Sequence, residues 1–165
     1  MSIFQTIHER RSIKEFTART VTQEEIERLL EAVVQAPNHR MTEPWRFYVL
    51  GPKARYAYGA ALGRRKAKRV EDPEAAEAVI LKVANAHEAL PCMIASTLVL
   101  DENPEICEED YAAVFMGLQN LSLAAHHMGL GAHIKSGAVT VSYTHLRAHE
   151  TPEHRGGRGG RGKKK

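Results

Sequence analysis

The sequence predicts an α/β (or α+β) fold in which a central sheet lies between helical layers. Three observations carry that expectation. A capped amphipathic helix opens at Thr22, a strand-type run extends from Trp45 to Leu50, and an almost uninterrupted apolar run spans Met93 to Leu100. Helical and extended patterns alternate along the chain, and no internal repeat is present.

Taken in order, the first element is short. Ser2 and Gln5 form a possible capping box, and Ile3, Phe4 and Ile7 make one apolar stripe before the charged cluster His8-Glu9-Arg10-Arg11. The second helix carries a capping box at Thr22 and Glu25, then Ile26, Leu29, Leu30, Val33 and Val34 at helical spacing, until Pro37 stops it. A polar loop, Asn38 to Glu43, leads into the strand Trp45–Leu50, which Gly51-Pro52 ends. From Lys53 to His87 the pattern is helical but weak, with a break near Asp72-Pro73. Met93 to Leu100 lacks polar alternation, which predicts a strand buried on both faces. A long helix is expected from Glu108 to Met128, with Tyr111, Val114, Phe115, Leu118, Leu121, Ala125 and Met128 on its core face. Gly129-Leu130-Gly131 reads as a helix stop, and Ala132 to Ser136 as a further strand or extended segment.

The bulk composition is that of one globular domain. A hydrophobic fraction of 43% and a charged fraction of 26% are ordinary for a soluble protein, and no window approaches the roughly 20 apolar residues of a membrane span. The amino terminus lacks the apolar core of a signal peptide, and Cys92 and Cys107 match no metal or redox spacing, so a cytoplasmic protein with reduced thiols is expected. The net charge of +3 misleads. Residues 141–165 hold seven of the 23 Lys and Arg and two of the 20 acids, which leaves residues 1–140 with 16 bases and 18 acids. The body is mildly acidic and the basicity resides in the tail.

That tail has three readings. It is a disordered basic extension, an Arg-Gly-rich RNA-binding segment, or a foreign sequence. The third fits best, because the eleven residues Val141 to Thr151 are similar to a translation of a transposon-end sequencing adapter. The expected division is therefore a domain over 1–140, lacking its carboxy-terminal part, and a non-native, disordered basic tail over 141–165.

Two constellations and a fainter third carry chemistry. Arg10-Arg11-Ser12-Ile13-Lys14 places two guanidiniums, a hydroxyl and an ammonium within five residues, a donor set suited to phosphate and an electron-rich ring. Alone it reads as a solvated charged turn. Ala36 to Phe47 joins a proline-stopped helix to a strand through a donor-rich loop containing Asn38 and His39. Gly129 to Ala138 offers glycines for close backbone approach to a flat ligand, with Lys135 and Ser136 as donors. His126-His127 is not a metal pair, since neighbouring helical positions face apart. The Arg64 to Arg69 cluster reads as a solvated helix face rather than a nucleic-acid site.

In this order the three segments resemble the FMN-dependent nitroreductase family over about residues 1 to 140. The resemblance implies a three-layer sandwich with a central mixed sheet and helices on both faces. It also implies a homodimer sharing FMN across its interface, and NAD(P)H as the reductant of a small-molecule acceptor such as a nitroaromatic or quinone. Arg10, Arg11 and Ser12 would hold the FMN phosphate and ribityl chain, and Lys14 would lie near the pyrimidine edge. The Pro37–Pro44 loop, with Asn38 and His39, would reach the partner's flavin; Glu43 stands where many relatives have Gln. Ile134, by its backbone, with Lys135 and Ser136, would lie along the isoalloxazine. The flavin carries the chemistry, so no catalytic triad is expected, and neither nucleic acid nor membrane is a partner. The alternatives are an RNA-binding or interaction module using the tail, and an inactive fragment.

Overall fold

The computed structural model describes residues 2–136, and the tail expected over 141–165, with Gly137 to Thr140, lies outside the described residues. The elements are α1 (Ile3–Glu9), α2 (Gln23–Val33), β1 (Trp45–Val49), α3 (Pro52–Ala67), α4 (Pro73–Glu88), β2 (Ile94–Leu98) and α5 (Pro104–His127). The α/β class is as expected. Among the described residues no helix is long and apolar enough to cross a membrane.

Local chemistry sets the helix ends. Ser2 Oγ accepts from the Gln5 amide at the start of α1. At α2 the Thr22–Glu25 capping box is complete, and Arg19 grips the Glu25 carboxylate from outside at 2.5 Å. The break at Asp72-Pro73 separates α3 from α4, with the Asp72 carboxylate accepting from the Ala75 amide and proline in the first turn. Asn103 caps α5, which starts four residues before the expected Glu108, at Pro104, another first-turn proline.

β1 and β2 pair antiparallel, with Trp45 opposite Leu98, Phe47 opposite Ser96 and Val49 opposite Ile94. One face of this pair meets α2 and α5. Val33, Trp45, Phe47, Ala113 and Val114 form the buried core there, with Leu30, Val34, Ile94, Leu98, Leu118 and Leu121 packed around it. Truncating Trp45 or Phe47 to Ala should destabilise by about 3–5 kcal/mol. A parallel bridge, Ser12 to Ala132, adds the second strand direction. Between β1 and β2 the chain makes the α3–α4 hairpin. Its helices approach closely because Gly59 and Gly63 face α4, where an added Cβ would lie 2.8 Å from the Ala84 and Ile80 Cα atoms.

Three expectations need correction. The Met93–Leu100 run is not a doubly buried strand. β2 is half-buried throughout and Val99 and Leu100 are exposed, because only the face bearing Ile94 and Leu98 meets the core. The α1 stripe is not core either: Ile3, Phe4 and Ile7 are exposed and Thr6 is the buried residue. On α5 the buried line runs through Asp110, Ala113, Val114, Gly117, Ser122 and Ala125, whereas Tyr111 and Phe115 are exposed and stack on each other at 5.1 Å. The reason is steric. Gly117 lies against Val33 so tightly that a Cβ would meet Val33 Cγ1 at 2.7 Å, so small residues, not large ones, mark the α2–α5 contact. Ala132 to Ser136, expected as a strand or extended segment, is extended chain with a single bridge.

Candidate functional site

The candidate site grows from the carboxy-terminal end of α5. Gly129, at φ +74°, adopts the left-handed conformation, its amide donates to the His126 carbonyl, and the Leu130 amide reaches back to the Ala125 carbonyl at 2.8 Å. This double bond pattern closes the helix and turns the chain sharply. The turn lays Gly131-Ala132 beside the segment that follows α1: the Ile13 amide donates to the Ala132 carbonyl at 3.0 Å. A Cβ on Gly131 would sit 3.0 Å from Ile13 Cβ, so glycine permits this approach. Ser12-Ile13 and Gly131-Ala132 thus lie side by side, with Ser12 and Ala132 bridged.

That junction concentrates positive charge without compensation. Arg10 is half-buried and Ser12, Lys14, Lys135 and Ser136 are exposed. Arg10, Lys14 and Lys135 have no anionic partner among the described residues. Ile13 and Ile134 expose 39% and 42% of their surface beside these cations, so apolar surface and donors alternate across a small area. Arg11 differs. Its Nη1 donates to the His8 and Arg10 carbonyls at 2.5 and 2.9 Å, which ties its guanidinium to the end of α1.

The α3–α4 hairpin buries one imidazole, that of His87. This imidazole is buried against Tyr58, with ring centroids 5.4 Å apart. Nδ1 donates to the Val83 carbonyl at 2.8 Å, and Nε2 is buried without a partner. Burial above all, opposed by the Val83 bond and reinforced by the charges of Lys135 and Lys66, holds the imidazole below its ordinary pKa and therefore neutral. Cys92 is half-buried and burial pushes its thiol up, which makes it a poor nucleophile.

The Asn38–Pro44 loop lies elsewhere, at the amino-terminal half of α5. Its chain is held in an unusual shape, with Met41 and Glu43 at φ 53° and 46°. The holding group is Asp110, which is 3% exposed and accepts from Thr42 Oγ1 and, at 3.3 Å, from Asn38 Nδ2. Asn38 Oδ1 accepts from the Glu43 amide at 2.9 Å, so the Asn38 side chain is turned inward to brace its own loop. His39 Nδ1 lies 3.0 Å from Glu109 Oε1, and Arg40 Nε donates to Glu109 Oε2 at 2.8 Å and pairs with Glu105 at 3.4 Å. Hydrogen bonds from His39 and Arg40 hold the Glu109 carboxyl below its ordinary pKa. A cleft of about 150 Å³ opens beside the loop between Pro37, Met41 and Trp45.

The structure therefore unites two of the three sequence segments and separates the third. The 17 positions from Asp110 to His127 span about 25 Å of helix axis at about 1.5 Å per residue. Sequence reading missed Asp110 and Glu109, which organise the loop, and His87, which is buried in the hairpin against Tyr58. A signal for Asp110 exists: a carboxylate three positions before Ala113 and seven before Gly117, on the helix stripe that is otherwise small and apolar.

The model of the nitroreductase family matches residues 7–147. YfhC of Bacillus subtilis, which carries the name of an NAD(P)H nitroreductase, is 34% identical over 136 residues, covering 81% of this chain and 68% of its own. The crystal structure of a nitroreductase-like family protein from Bacillus cereus superposes with a TM-score of 0.70 at 29% identity, over 84% of this chain and 72% of the other. A structure from Desulfovibrio desulfuricans, described as a nitroreductase in complex with FMN, gives 0.55 at 25% identity, over 78% and 64%.

Proposed function

Because this chain belongs to the nitroreductase family, we propose that it is an NAD(P)H-dependent flavin oxidoreductase that binds FMN at the junction of residues 10–14 and 131–136. The observation that carries the reading is the uncompensated Arg10–Lys14–Lys135 charge on a backbone-paired platform flanked by exposed Ile13 and Ile134. Phosphate needs forked cationic donors and hydroxyls, and a flat ring needs apolar surface with close backbone approach. The junction holds both kinds of group, so its residues fit FMN.

When bound, FMN supplies two-electron transfer from NAD(P)H to a second small molecule, for which a nitroaromatic or quinone is the expected class. The chain's own residues bind and polarise. Arg10 and Ser12 hold the phosphate, with Arg11 keeping the turn after α1 in shape. Lys14 stands as a preorganised cation where negative charge develops on the reduced ring, and Lys135 and Ser136 add donors along it. Ile13 and Ile134 cover ring surface and exclude water.

The loop bearing Asn38 and His39 belongs to the same site in a homodimer. Held at the opposite end of α5, it cannot meet the flavin of its own chain, whereas the loop of a second copy can. The exposed Ile3, Phe4 and Ile7 of α1 are surface that such an interface would bury.

Replacing Arg10 by Ala should weaken FMN binding by roughly ten- to a hundredfold, the worth of a charge-assisted hydrogen bond. Flavin fluorescence titration measures it, and an unchanged affinity removes Arg10 from the site. Steady-state kinetics should show parallel double-reciprocal lines, since one flavin serves two substrates in turn; intersecting lines would contradict this.

A further inference from the structure

A second group of uncompensated cations lies at the carboxy-terminal end of α3 and just beyond it. Arg64, Arg65, Lys66, Lys68 and Arg69 fall within six residues, and none has an anionic partner among the described residues. Leu62, Arg65 and Lys66 of the last helical turns and Arg69 of the turn that follows line an open cleft of about 340 Å³. The negative end of the helix dipole favours a cation or two in the last turn. It does not account for Lys68 and Arg69, which lie beyond the last helical residue, Ala67.

The cleft is rigidly placed. Gly63 packs on Ile80 and Gly59 on Ala84 and His87, so α3 cannot shift against α4 without a clash. We propose that the Arg65–Lys66–Arg69 cleft binds phosphate of the dinucleotide reductant, either the pyrophosphate or the ribose 2′-phosphate of NADPH. This rests on the oxidoreductase reading above. Forked arginine donors and a lysine ammonium match phosphate oxygens, Leu62 offers apolar surface to the adjoining nucleoside, and the nicotinamide end is left free to reach the flavin.

Calorimetric titration with adenosine 2′,5′-bisphosphate and with ADP tests the site without requiring turnover. The protein as such, the Arg65→Ala/Arg69→Ala double variant and an Arg28→Ala control on the exposed face of α2 are compared. At least one nucleotide should bind, and the double variant should lose roughly ten- to a hundredfold in affinity while the control and FMN binding are unchanged. Preference for the 2′,5′-bisphosphate assigns the cleft to the 2′-phosphate, and preference for ADP assigns it to the pyrophosphate. If neither nucleotide binds, or the double variant binds as well as its parent, the proposal is wrong. Failure to take up FMN would overturn the flavin reading and leave the nucleotide titration to judge the cleft separately.

Discussion

The two ends of α5 carry similar residue types in opposite electrostatic states. At the amino-terminal end, His39 and Arg40 meet Glu105 and Glu109, and Asn38 and Thr42 meet the buried Asp110. At the carboxy-terminal end, Arg10, Lys14 and Lys135 meet no anion among the described residues. Both loops are donor-rich, and read alone the Arg10–Lys14 cluster is the weaker candidate, a solvated charged turn. Compensated charge shapes a loop, whereas uncompensated charge on a rigid platform is available to an anionic ligand. The difference separates residues that build the site from residues that hold what enters it.

Four substitutions would sharpen or break that comparison. The largest effect is expected at Asp110. Changing it to Ala leaves the Thr42 hydroxyl and an Asn38 amide donor without their acceptor and should destabilise by about 2–4 kcal/mol in urea unfolding, as hydrogen bonds to a charged group do. A loss below about 0.5 kcal/mol would mean that the loop holds itself.

The next effect is steric. Gly131→Val forces Ile13 away, since even a Cβ comes within 3.0 Å of it, and should cost about 1–3 kcal/mol while weakening FMN binding. Unaltered FMN affinity in that variant would show that the paired backbone is not the flavin platform.

Lys14→Ala should change unfolding stability by no more than about 0.5 kcal/mol, because no ion pair is lost, yet reduce the rate of flavin reduction by NAD(P)H. A marked destabilisation would place Lys14 with the compensated set instead.

The smallest effect concerns pH. The Glu109 carboxyl is held below its ordinary value by His39 and Arg40, so between the folded and unfolded pKa the unfolded chain binds more protons. The contribution of this group is therefore complete above the ordinary carboxylate range and is lost as pH falls through the folded value. Glu109→Gln should flatten the acid limb of the urea midpoint plotted against pH, and an identical limb would show that the surface pairs are solvated and inert.

Much of this protein was determined by sequence alone. The Ser2 cap (without the return bond of a capping box, since the Gln5 side chain bonds Glu9), the Thr22 capping box, the break at Asp72-Pro73, the Gly129 stop and the β1 run are local, because each is decided by neighbours within a few residues. The Arg10–Lys14 cluster and the 131–136 segment were visible as donors for the same reason. Tertiary structure decided which large side chains are buried. Periodicity places Tyr111 and Phe115 on the apolar stripe of α5, but Gly117 lies so close to Val33 that an added Cβ would meet Val33 Cγ1 at 2.7 Å, and the contact falls on smaller residues. Tertiary structure also decided that residues 13 and 132 pair, that His87 is buried against Tyr58, and that Asp110 braces a loop 68 positions away. These are long-range contacts, set by how whole elements pack, and side-chain chemistry read in chain order carries no record of that packing.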